Sequence, residues 1–212
     1  MSSSPPYKVG VIIGSARHSS NTIGYCTYLT SRIAHHHPSI TVETIDLINS
    51  PGHPLPFLIS DPYPSTQPPT TLPSAYADPA IRSWSAKILS FDGLIVLAPQ
   101  YNWGCSATLK NALDQLYHEW NGMPTMIASL GSRGGNKVQD QLRPMLQGGL
   151  HMTLVEGRLE FKVPREYMHS PEGRVKGDEE FLKVYDGTVE EVLGELVILM
   201  ESRGMLKEER KA

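Results

Sequence analysis

Residues 93–120 constrain this chain more than any other stretch. Residues 93–98 are a short continuous apolar run, the pattern of a strand covered on both faces. After Pro99, Gln100, Tyr101, Asn102 and Trp103, apolar side chains return at Leu109, Ala112, Leu113, Leu116, Tyr117 and Trp120. Steps of three and four make one helical stripe, and predict a helix over 107–120. The loop between them therefore leaves the carboxyl end of a central parallel strand, where open α/β sheets bind ligands. A rigid proline, an aromatic ring and an amide at that point suit a flat heteroaromatic molecule.

Two more loops converge on the same edge. Residues 8–13 read as a first strand and are followed by Gly14, Ser15, Ala16, Arg17 and a run to Asn21. Residues 124–130 read as a fourth strand, followed by Gly131, Ser132, Arg133, Gly134 and Gly135. Both loops open into helices. Strands and helices alternate along the whole chain, with a helix over 21–36, a strand over 40–47 and a helix capped by Asp78 with Pro79 in its first turn. A helix over 136–147 carries Pro144, which should kink it or end it early. A fifth strand is expected over 152–163, broken at Gly157, and a last helix over 188–203 with Gly204 as its stop. On the first helix Ile23, Cys26, Leu29 and Ile33 are expected to face inward. The chain reads as α/β, a flavodoxin-like three-layer sandwich with a five-stranded parallel sheet of order 2-1-3-4-5, formed by a single domain over 1–212. Residues 48–77 interrupt this pattern as a proline-rich insertion. Their eight prolines exclude a regular helix or a central strand.

Bulk properties narrow the function. A net charge of −3 and a pI near 6.2 leave no basic stripe for nucleic acid or an anionic membrane. Residues 1–6 lack the charged and apolar regions of a signal peptide, and no apolar run is long enough to span a bilayer. Cys26 and Cys105 are the only cysteines, which fits a reducing compartment and a cytoplasmic location.

The loop after the first strand has the chemistry of a phosphate site. Ser15, Ser19, Ser20 and Asn21 offer hydroxyl and amide donors, the helix amino terminus adds N–H groups, and Arg17 adds a planar cationic fork. The Gly-Lys-Ser/Thr ending of a Walker loop is missing, as is the Gly-x-Gly-x-x-Gly pattern of a dinucleotide site. A terminal monophosphate suits it best.

These residues resemble the NADPH-dependent FMN reductases, a flavodoxin-like group that includes quinone and azo reductases. The likeness rests on Gly14-Ser15-Ala16-Arg17, on Pro99-Gln100-Tyr101-Asn102 with the following 109–114, and on Gly131-Ser132-Arg133-Gly134-Gly135. It covers about residues 8–163. The resemblance implies bound FMN, reduction by NADPH or NADH, and two-electron delivery to a small acceptor such as a quinone, azo compound or flavin. It implies that Ser15, Arg17, Ser20 and Asn21 hold the FMN phosphate. Pro99, Gln100, Tyr101, Asn102 and Trp103 would contact the ring and ribityl chain, and Gly131, Ser132, Arg133, Gly134 and Gly135 would border the ring's polar edge. Two positions depart from the usual pattern: Gln100 stands where many members carry Glu, and Ser106 where many carry Pro, though Ser106 can cap the following helix.

A flavin relay needs no protein nucleophile, so no catalytic residue is expected beyond those that position the cofactor. Tyr101 or Trp103 can wall one ring face, and backbone N–H groups of Gly134 and Gly135 near Arg133 can stabilise charge at the ring edge. The alternatives are a flavodoxin-type electron carrier and a flavin-sensing binding protein. Neither His35-His36-His37 nor Cys105 is read as a reactive site, since the three histidines diverge around a helix end and a lone thiol more often packs. Tyr117 and Trp120, large for a helix end, together with the resemblance, lead to the expectation of a homodimer or a dimer of dimers.

Overall fold

The computed structural model describes residues 7–57, 62–169 and 173–209. The readings for residues 1–6, for 58–61 within the insertion and for the end of the tail, 210–212, lie outside them. Among the described residues six strands and six α-helices follow in the order β1 Lys8–Ile13, α1 Asn21–His36, β2 Thr41–Asp46, α2 Pro79–Leu89, β3 Gly93–Pro99, α3 Ala107–Asp114, β4 Pro124–Gly131, α4 Asn136–Pro144, β5 Thr153–Leu154, β6 Leu159–Lys162, α5 Arg165–His169 and α6 Asp186–Glu209. The sheet is parallel throughout in the order β2-β1-β3-β4-β5, and β6 also pairs with β4. The expected fifth strand is thus one edge made of two pieces. At the break, the Gly157 N–H turns away from the ladder and donates to Glu195 Oε2 at 3.0 Å on α6.

The period-two alternation of each strand divides the core into two layers. Val9, Val11, Ile13, Ile95, Leu97, Met126, Ala128 and Leu130 point to one face, where α1 and α6 cover them. Ile12, Leu94, Val96, Ala98 and Ile127 point to the other, beneath α2, α3 and α4. The flavodoxin-like sandwich with its 2-1-3-4-5 order is therefore present.

Local signals set most boundaries. Asp78 caps α2 by accepting from the Ala80 N–H at 2.8 Å. Ser106 caps α3 by accepting from the Leu109 N–H at 3.1 Å. Pro144 ends the α-helical part of α4, and a π turn, Met145–Gly149, follows.

Three expectations need correction. The helix over 107–120 stops at Asp114, and Trp120 lies on a separate 3₁₀ turn. Its indole N–H donates to the carbonyls of Leu113 at 3.0 Å and Leu116 at 3.2 Å, at the end of the helix. Trp120 is fully buried edge-on to Trp84, so it serves this chain's own core. The last helix does not stop at Gly204 but runs to Glu209, because Gly204 stays helical and Arg203 ties the turn to the Asp92 carbonyl at 3.3 Å. On α1, Ile23 is 40% exposed, and Tyr25 and Tyr28 take the inward places beside Cys26, Leu29 and Ile33.

The proline-rich connection packs on the α3 side of the sheet. Gln115 donates to the Pro56 carbonyl at 2.7 Å and Asn111 to the same oxygen at 3.1 Å. Tyr76 is buried and meets the buried carboxylate of Glu119 at 3.3 Å.

Candidate cofactor site

The carboxyl ends of β1, β3 and β4 surround a cavity of about 390 Å³. Its size is that of a small-molecule site. From the β1 loop come Ser15, Arg17, Ser19, Ser20, Asn21 and Thr22; from the β3 loop, Pro99, Gln100, Tyr101 and Asn102; from the β4 loop, Leu130, Gly131 and Ser132. Val163, Met168 and Arg174 close the far wall. Two guanidinium groups are in this lining and no carboxylate is, among the described residues.

The β1 loop is held from above and below. Ser106 donates to the Gly14 carbonyl at 2.6 Å, so the cap of α3 also anchors the loop's first residue. Ser15 is buried; its Oγ accepts from the Arg17 N–H at 3.2 Å and lies 3.3 Å from the Tyr101 hydroxyl. That hydroxyl also accepts from the Ala16 N–H at 3.3 Å, and the Arg17 guanidinium lies 5.6 Å from the Tyr101 ring centroid. Tyr101 thus bridges the first and third strand loops.

Ser20 occupies the N-cap position of α1 yet makes no capping bond. Its Oγ is buried without a partner, and so is the Nε of Arg174 across the cavity. Buried polar groups are nearly always paired, and each orphan costs about 1–3 kcal/mol. Two such donors beside Arg17, at a helix amino terminus, have the chemistry to receive a multiply charged oxyanion.

Arg174 was not singled out by sequence, and its placement depends on two other residues. The Asn21 amide spans the gap: its Nδ2 donates to the Tyr167 carbonyl at 2.8 Å, while its Oδ1 accepts from the Val175 N–H at 3.0 Å. Asn21 is therefore occupied in holding the wall. Gly24 lets that wall lie against α1, since a Cβ there would run into the Val175 carbonyl. Arg174 then braces itself by donating to the Tyr167 carbonyl at 3.2 Å.

On the β3 loop, Tyr101 and Gly104 exchange backbone hydrogen bonds of 2.8 and 2.9 Å around Asn102 and Trp103. Both central residues have positive φ, 47° and 71°, the signature of a type I′ turn. Trp103 projects outward, 72% exposed, and lines a second cavity rather than the first. Gln100 turns the other way. Its Oε1 accepts from the backbone N–H groups of Lys137 at 3.1 Å and Val138 at 3.4 Å, capping α4, whose own N-cap Gly135 has no side chain to do so. The bond needs only an acceptor oxygen at this position, and the Gln100 amide supplies it.

Gly134 and Gly135, both buried, build the β4 turn with φ of 87° and 78°. The Gly134 N–H is already bonded to the Gly131 carbonyl at 3.1 Å, and neither glycine lines the cavity. Arg133 faces the second cavity with Trp103. Of the fourteen positions expected at a cofactor, ten line the first cavity, Trp103 and Arg133 lie next door, and Gly134 with Gly135 shape the turn, with Gln100 and Ser132 shared by both cavities.

No Asp, Glu, His or Cys lines the first cavity, so the chain offers no acid–base pair there, among the described residues. Cys105 lies beside the β3 loop, but burial pushes its thiol pKa up and disfavours the reactive thiolate. The Cys26 thiol, buried in the core, is pushed up to about 12.

A parallel sheet of this order, with a loop at its switch point whose donors suit an oxyanion, is the flavodoxin-like arrangement, in which mononucleotides bind at that point. The chain belongs to the NADPH-dependent FMN reductase family, whose model matches residues 7–162. It is 45% identical over 97 residues to the NAD(P)H-dependent FMN reductase LOT6 of Saccharomyces cerevisiae, a match spanning 46% of this chain and 50% of that protein. It is 39% identical over 127 residues to the NAD(P)H-dependent FMN reductase C4B3.06c of Schizosaccharomyces pombe, 60% of this chain and 62% of the relative. The matches thus span roughly half to three fifths of these relatives' lengths. Among solved structures, the flavoenzyme NAD(P)H:(acceptor) oxidoreductase FerB of Paracoccus denitrificans superposes with a TM-score of 0.64 at 20% identity, covering 92% of this chain and 98% of that one. That likeness speaks to the fold. Arg174 falls beyond the family match.

Proposed function

We propose that this chain is an FMN-dependent NAD(P)H oxidoreductase that reduces a small acceptor such as a quinone, an azo compound or a flavin. The observation that carries the cofactor assignment is the pair of orphaned buried donors, Ser20 Oγ and Arg174 Nε, facing one cavity beside Arg17. Their charge and geometry suit a terminal phosphate dianion. The family membership and the names of the relatives in Saccharomyces cerevisiae and Schizosaccharomyces pombe support the reductase activity.

Bound FMN would supply hydride chemistry, and the chain's task is position and charge. Arg17, Ser20 and Arg174 would take the phosphate, with Ser15 and Asn21 fixing the loop and the wall. Pro99, Tyr101 and Asn102 would line the ring and its ribityl chain. Gly131 and Ser132 would border the ring's polar edge, with the β4 turn held rigid by Gly134 and Gly135. One cavity mouth would serve nicotinamide and then acceptor in turn.

The purified protein tests this directly. It should carry FMN, bind riboflavin far more weakly, lose its yellow colour with NADPH or NADH under anaerobic conditions and regain it with a quinone. Flavin that neither nicotinamide reduces would point instead to a carrier.

Two finer points belong to the same proposal. A cytoplasmic location is supported by the two free thiols. No helix among the described residues is long and apolar enough to cross a membrane. A homodimer draws support from Ile198 and Met205, seven residues apart on one face of α6 and each 62% exposed, and from the frequency of closed two-fold assemblies. Trp120, buried in its own core, no longer contributes to that argument. Light scattering at micromolar concentration decides it: twice the chain mass is expected, reduced in Ile198→Lys.

A further inference from the structure

Gln100 stands where the two cavities meet. It lines both the first cavity and the second, of about 500 Å³, which Arg133 and Lys137 also line. Its amide is held in one orientation. Oε1 accepts from the backbone N–H groups of Lys137 at 3.1 Å and Val138 at 3.4 Å, while Nε2 bonds to no described residue. Charge around this junction is one-sided. Arg17 and Arg174 line the first cavity, Arg133 and Lys137 the second, and no Asp or Glu lines either, among the described residues. Two carboxylates on the adjoining elements, Asp140 on α4 and Glu160 on β6, are both bonded by Arg158, at 2.8 and 2.9 Å, and Asp140 also feels the Lys137 charge. Gln100→Glu could make the same two bonds to α4 and would bring a full negative charge to the junction. The chain supplies the cap without the charge.

We propose that Gln100 sets the reduction potential of the bound cofactor: by capping α4 with a neutral amide it keeps the cavity junction free of negative charge, and so favours the reduced, anionic form of FMN over the oxidised form. The inference rests on the proposed reductase reading and deepens it, with Gln100 as a positioning residue that acts through charge. A nicotinamide that gives up a hydride loses two electrons with one proton and is oxidised. That hydride adds one negative charge to the flavin it reduces. In a partly enclosed site such a charge is stabilised by cations and fixed donors and opposed by any carboxylate beside it. Gln100 and the flavin share the first cavity in this reading, so the difference between an amide and a carboxylate there falls on the reduced form.

Reduction of the FMN-loaded protein in equilibrium with a reference dye measures the potential without turnover. The wild type should hold FMN at a potential above that of free FMN, because it binds the reduced form more tightly than the oxidised. Gln100→Glu keeps an acceptor oxygen for α4 and adds a charge. It should cut the preference for reduced over oxidised FMN at least about tenfold, which lowers a two-electron potential by about 30 mV. Gln100→Leu removes the cap and adds no charge, so it should lower stability while moving the potential by less. A wild-type potential at or below that of free FMN overturns the inference, even where Gln100→Glu takes up no FMN. An unchanged potential in Gln100→Glu, or an equal fall in Gln100→Leu, overturns it as well, and each of these leaves FMN binding and nicotinamide reduction intact. A wild type that takes up no FMN, scored before any potential is read, sinks the reductase reading itself, and the inference falls with it.

Discussion

The Tyr101 hydroxyl lies 3.3 Å from Ser15 Oγ and accepts from the Ala16 N–H at the same distance, tying the loop after β3 to the loop after β1. A ring expected to wall the flavin thus also braces the phosphate loop from across the cavity. Tyr101→Phe keeps the ring and removes the tie. FMN affinity should weaken by about 0.5–1.5 kcal/mol, the net value of a neutral hydrogen bond. Fluorescence titration reads this, and an unchanged Kd would show that the tie is idle.

Arg174→Ala should cost more. The guanidinium is one of two in the cavity and its Nε has no partner. Losing a charge-assisted contact to a dianion should weaken FMN by about 1.5–3 kcal/mol, roughly 10- to 150-fold. Riboflavin, which lacks the phosphate, should bind equally well to variant and wild type. A parallel loss for both flavins would mean that Arg174 shapes the wall and does not read the phosphate.

Ser106 performs two tasks from one hydroxyl: it accepts from the Leu109 N–H and donates to the Gly14 carbonyl. Both partners are buried. Ser106→Ala leaves a helix uncapped and a carbonyl unpaired, and should lower stability by about 1–3 kcal/mol. Urea unfolding should show a lower midpoint at unchanged slope.

Stability should also fall on acidification, and His53 is one source. Burial against the edge of Trp84, with ring centroids 5.4 Å apart, lowers its pKa, with Asp46 pulling weakly the other way. A histidine whose folded pKa is depressed contributes stability above its unfolded value near 6.5. That contribution is lost as pH falls through the folded value, because the unfolded chain takes up the proton first. Denaturant midpoints should therefore decline below about pH 6.5. His53→Phe should flatten the decline while keeping the ring contact; an identical pH profile would exonerate His53.

Much of the frame was legible in local pattern. Residues 93–98 read as a buried strand because both faces are apolar, and β3 does pair with β1 and β4 on either side. Asp78, Ser106 and Pro144 act on their own helix ends, so residue type and position sufficed. The same local logic misplaced Trp120 and Gly204. A stripe of apolar residues states that a side chain is buried, not that the helix carrying it continues. A glycine permits a helix to stop without requiring it.

The sequence by itself determined the strands, the three loops at their carboxyl ends and the cap residues, because each is written within about one helical turn or one strand alternation. Only the tertiary structure decided what those loops meet. Gln100 became the cap of α4 through a bond spanning 37 positions. Asn21 became a fastener through bonds to Tyr167 and Val175, 146 and 154 positions away. Through that fastening, and the bare Cα of Gly24, Arg174 reached the cavity. Contacts of this kind depend on where the sheet places distant backbone, and no periodicity or spacing in the chain encodes them.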